Sequence, residues 1–95
     1  MTHYRIVQPD GTTTPHEGEV SLKEMQAAVG GYVQELNRRY LLSEFAQDAY
    51  ASGVRFFVHE DGTLMGLPPN PTATALVGSP QMLVGNLLMV DVLED

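Results

Sequence analysis

The chain has 95 residues, 43% of them apolar, which is enough for one modest core and a single domain spanning residues 1–95. It has no cysteine, which excludes disulfides, thiolate chemistry and cysteine-based zinc sites. Twelve acids against five bases give a formal charge of −7, which opposes contact with phosphate backbones and anionic membranes, so direct nucleic-acid binding is not expected. The opening MTHYRIVQPDG has no basic patch leading into an apolar stretch, and no run reaches the roughly 18 apolar residues of a membrane span. The expectation is a cytoplasmic protein without membrane attachment.

Tyr4 to Gln8 alternates β-forming residues and runs into Pro9-Asp10-Gly11, which has the residue preferences of a tight turn. A hairpin follows, its second arm within Thr12 to Val20. Pro15 and Gly18 assign that arm to a sheet edge or let it trail into a loop. Ser21-Leu22-Lys23-Glu24 is a capping box that starts a short helix striped by Leu22, Met25 and Val29 and closed by Gly30-Gly31. Tyr32 to Leu36 reads as a strand. Leu42, Phe45, Ala46, Ala49 and Tyr50 recur at helical spacing up to Ser52-Gly53, with Asn37 or Ser43 as the cap.

Val54 to His59 is the next strand, with Val54, Phe56 and Val58 on one side. Glu60-Asp61-Gly62 reads as a hairpin turn from which Thr63 to Leu67 returns as a strand. Pro68-Pro69 stops it. Asn70 then caps a short helical turn with Pro71 at its first position and Gly78 at its end. The last run, Met82 to Leu93, is almost unbroken in its apolarity and rich in valine, and it reads as the central strand, buried on both faces. The fold expected is α+β, a mostly antiparallel sheet with two helices and one short helical turn laid on one face. Such hairpins also allow a sheet curled into a half-barrel.

No catalytic constellation accompanies this pattern, and neither a cofactor nor a metal is expected. His59-Glu60-Asp61 joins a histidine to two carboxylates, but a hairpin turn accounts for the same residues. The first hairpin can bring His3 and His16 near each other, but without matched metal-ligand spacing. Ser21, Ser43, Ser52 and Ser79 all fall at element boundaries, outside any nucleophile elbow. Two places have ligand-binding character. The helix start at Asn70, with Thr72 nearby, presents free amides to an anion or polar ligand, although a plain cap explains it too. Gly85-Asn86 interrupts the apolar run, where glycine admits a close approach and a buried asparagine must find hydrogen bonds, within a bulge or from a ligand.

Val29-Gly30-Gly31-Tyr32-Val33, then His59-Glu60-Asp61-Gly62 with Leu67-Pro68 and Asn70, then Val84-Gly85-Asn86 resemble, in this order, the domain-of-unknown-function family DUF3846. These small domains occur in bacteriophages, plasmids and their bacterial hosts, alone or fused to anti-restriction and other mobile-element proteins. The resemblance covers nearly the whole chain, with residues 37–52 as an expansion of a short connection. His59 stands where the family pattern often has asparagine. What the resemblance implies is a role in phage or mobile-element biology and no established reaction. The leading expectation is a non-enzymatic binding module that contacts a host protein or a second copy in a homodimer. The alternatives are a protein that binds or sequesters a small ligand at Asn70, Thr72, Gly85 and Asn86, and an acidic DNA mimic that inhibits a nucleic-acid enzyme.

Overall fold

The computed structural model describes residues 3–18 and 20–91. The chain forms β1 (His3–Val7), β2 (Thr13–Glu17), α1 (Leu22–Val29), β3 (Val33–Glu35), a 3-10 turn (Arg38–Tyr40), α2 (Glu44–Ala51), β4 (Val54–His59), α3 (Pro71–Val77) and β5 (Leu87–Asp91). The strands make one sheet in the order β2-β1-β5-β4-β3, and all four pairings are antiparallel. The α+β expectation holds. The sheet is not closed into a barrel: β2 and β3 are its two edges. Among the described residues no helix is long and apolar enough to cross a membrane.

The apolar run finds its place at the centre of the sheet. Leu87 and Met89 point into one cluster and Leu88 and Val90 into another, so β5 is buried on both faces. It is shorter than the run itself. Residues 82–86 form the approach to it, with an isolated bridge between Val84 and Pro69, and Val92 and Leu93 lie outside the described residues.

Three features depart from the sequence reading. The helices do not share one face. Val29 of α1 packs with Leu88 and Val90 on one side of the sheet, while Ala46 of α2 and Ala73 and Val77 of α3 pack with Val7, Phe56 and Leu87 on the other. Residues 63–67 are not a strand. β3 and β5 already occupy both edges of β4, and the segment closes turns on itself through Met65 N–H to Asp61 C=O and Leu67 N–H to Gly62 C=O, leaving Leu64 88% exposed. Finally, α2 turns its alanines inward, because only a small side chain fits between the helix and the sheet at Ala46, which is fully buried. Leu42 and Phe45 stay in solvent, as does Leu22 at the start of α1.

The element boundaries follow from local hydrogen bonds. The Ser21 and Ser43 hydroxyls accept from the Glu24 and Ala46 amides at the starts of α1 and α2. Asn37, the other cap considered, serves the 3-10 turn. Gly30 and Gly78 end α1 and α3 in the left-handed conformation. Pro15 lies on edge strand β2, where its missing N–H disrupts no ladder and blunts the edge against further pairing.

Candidate functional site

Asn70 is a structural corner. Its side chain is fully buried, and its Nδ2 donates to the carbonyls of Val7 and Gly85, both at 2.9 Å, while Oδ1 accepts from the Ala73 amide at 2.9 Å. Its backbone N–H donates to the Leu83 carbonyl at 2.7 Å. One residue thereby joins the end of β1, the start of α3 and the approach to β5. Both side-chain heteroatoms are engaged within the chain. Thr72 is exposed beside the β1–β2 turn, where a methyl group on Gly11 would touch its hydroxyl.

Gly85 is buried with φ at +74°, and a Cβ there would come within 2.8 Å of Leu67 Cδ1. The close neighbour that glycine admits is a leucine of the same chain. Asn86 Nδ2 donates to the Ala28 carbonyl at 2.9 Å, satisfying a group that the end of α1 leaves open. These four residues thus bracket the start of β5 and α3, and none of them lines any of three prominent clefts among the described residues.

The remaining candidates separate. His3 and His16 sit on opposite faces of the first hairpin: His3 lies opposite Glu17, its Nδ1 3.7 Å from Oε1, whereas His16 stacks on Tyr4 with ring centroids 4.7 Å apart. His59 is buried, and its Nδ1 accepts from the Asp61 amide at 2.9 Å. This two-residue bond is the one an asparagine carboxamide makes in an Asx turn. Gly31 is held to glycine because a Cβ would overlap the His59 ring. Among the described residues no three of His, Asp and Glu converge as metal ligands.

The largest of these three clefts is elsewhere. Because α2 and α3 cover only part of their face, the outer ends of β2, β1 and β5 form the floor of an open cleft of about 930 Å³, walled on one side by α2. The pairing register sets the floor in rows. Glu17, His3, Asp91 and Val54 make one row, and Pro15, Arg5, Met89 and Phe56 the next. Phe45, 48% exposed, and Ala49 supply the apolar wall. Asp91 Oδ1 is enclosed and has no hydrogen-bond partner among the described residues. Sequence reading missed this site because its residues come from five separate segments. The signal available was Phe45, a large apolar side chain left exposed on a helix whose buried residue is Ala46.

The arrangement offers an apolar wall, a cation at Arg5 and carboxylates at Glu17 and Asp91. It can hold a ligand with both apolar and charged parts.

The family model for a domain of unknown function matches residues 1–95. The chain belongs to the DUF3846 family. No curated protein and no solved structure matches it. For this DUF3846 domain, then, the geometry of the cleft is the main guide to function.

Proposed function

We propose that this DUF3846 domain is a non-enzymatic binding module whose recognition surface is the cleft between the β2-β1-β5 floor and α2. The observation that carries the reading is the half-covered face. Among the described residues, α2 and α3 shield the inner part of the sheet and leave the outer part open, with the exposed Phe45 beside it. The resemblance supplies the setting proposed for it, a phage or mobile element acting in the cytoplasm of its host.

Phe45→Asp tests the reading. The side chain is half exposed, so the variant folds with a loss within about 0.5 kcal/mol. Native mass spectrometry of gently purified wild-type protein is expected to reveal bound partner mass that this variant lacks. Turnover of a metabolite by the pure protein, abolished by a point change in the cleft, would defeat the non-enzymatic reading.

A small-molecule binder is the second reading, favoured by a volume of about 930 Å³, within the range of small-ligand pockets. On this reading a ligand sits on the cleft floor. Asn70, Thr72, Gly85 and Asn86 contribute by holding the scaffold behind it.

A further inference from the structure

We infer that the occupant of the cleft is a basic, partly apolar segment of a partner protein, whose guanidinium or ammonium group meets Asp91 and Glu17 while its aliphatic stem lies against Phe45, Val54 and Met89. The inference rests on the reading of the cleft as the recognition surface and adds the chemistry of what it takes.

Four observations lead to it. First, Asp91 Oδ1 is enclosed, lines the cleft and has no hydrogen-bond partner among the described residues. A carboxylate oxygen in that state lacks a donor, and a ligand N–H is the group that supplies one. Second, Glu17 lies in the same row across the sheet, with His3 between them, so a single fork-shaped cation entering above His3 has a carboxylate on either hand. Neighbouring strands lie about 4.8 Å apart, so Glu17 and Asp91 stand about 10 Å apart across β1, and their side chains reach inward to flank a planar guanidinium between them.

Third, apolar groups adjoin Asp91. Val54 is its neighbour on β4, Met89 precedes it by one alternation on β5, and Phe45 overhangs from α2. Long basic side chains bury their methylene stems along such surfaces while the charged head finds its partner. The volume exceeds one side chain, so a short extended segment fits. Arg5, in the next row, repels a second cation and leaves room there for an acidic or neutral residue of the same segment.

Fourth, the formal charge of −7 selects among occupants. A second copy would bring two acidic chains together, whereas a basic partner is drawn in by the long-range field.

The test uses the isotope-labelled chain and two short probes, an acetylated Leu-Arg-Leu-Arg-Leu amide and its Leu-Glu-Leu-Glu-Leu counterpart, followed by amide chemical shifts. The basic probe is expected to move the amides of His3, Glu17, Phe45 and Asp91. Its affinity should fall about tenfold in Asp91→Asn combined with Glu17→Gln and fall again as salt is raised. Binding of the acidic probe at the same amides, lost in Arg5→Ala, would overturn the basic partner while keeping the cleft as the recognition surface. A concentration-dependent dimer abolished by Phe45→Asp would overturn it in favour of a second copy. Absence of cleft shifts with either probe up to about 1 mM, with no dimer, would remove both the basic partner and the cleft reading.

Discussion

The Asn70 corner and the charged cleft lie at opposite ends of the same two strands, β1 and β5, and treat buried polar atoms in opposite ways. At the corner, Asn70 donates twice and accepts once, all inside the protein. At the cleft, Asp91 keeps a carboxylate oxygen enclosed and unpartnered among the described residues. A polar group that satisfies itself internally stiffens the scaffold, while one left without a partner costs stability, and on the proposed reading a ligand completes it. The difference separates what builds this domain from what it presents.

Asn70→Ala gives the largest effect. It removes a helix cap and leaves two buried carbonyls and an amide without partners, a loss of about 3–5 kcal/mol, a large part of the total stability of a small domain. Asn70→Asp sharpens the point. It keeps the capping oxygen but sets a carboxylate oxygen against the Val7 and Gly85 carbonyls, so it should destabilise at least as much as alanine. Urea midpoints measure both. An aspartate variant within about 1 kcal/mol of wild type would mean that the cap alone matters and the corner is not stitched through Nδ2.

Gly85→Ala comes next, at about 1–3 kcal/mol, because the position combines a left-handed backbone with contact against Leu67 Cδ1. Combining it with Leu67→Ala separates the two causes. Partial recovery relative to the sum of the single changes assigns the cost to the contact; strict additivity assigns it to the backbone. At the other end, Asp91→Asn should leave thermal stability unchanged or raise it by up to about 1 kcal/mol, since the isosteric amide removes an unpartnered charge. A clear drop in melting temperature would show that Asp91 is part of the scaffold and erase the contrast between the two ends.

The two ends also differed in how much of them could be read from the chain. The corner was legible as a cap because Asn70-Pro71 acts on amides within three residues, and the same locality made Ser21, Ser43, Gly30 and Gly78 legible. The central strand was legible because burial on both faces leaves no room for polar alternation in Leu87 to Val90. Asn70's second role, reaching Val7 and Gly85, needs the fold to be known. So does the cleft, whose row of Glu17, His3 and Asp91 joins residues from the two extremes of the described chain. Residues 63–67 misled for the same reason. Their alternation suits a strand, but whether β4 has an edge to offer is decided by the pairing of β3 and β5.

The smallest effect belongs to the β1–β2 turn at the corner end. The Thr12 backbone N–H, 2.8 Å from Asp10 Oδ1, and secondly the Thr12 hydroxyl favour the ionised carboxylate and hold its pKa below the ordinary aspartate value. A group depressed in the folded state contributes stability that is complete above its unfolded value of about 3.9 and is lost as pH falls through the lower folded value. Asp10 is exposed, so the contribution is small and weakens with salt. An NMR titration of the Asp10 carboxyl should therefore run below that of an unfolded peptide of the same sequence. Asp10→Asn, which keeps an acceptor for the Thr12 amide but cannot titrate, should track wild-type stability at a constant offset down to about pH 4 and diverge only below it. Titration at or above the peptide value would mean that the turn is held by Gly11 and the Gln8–Thr12 backbone bond alone, with the carboxylate idle.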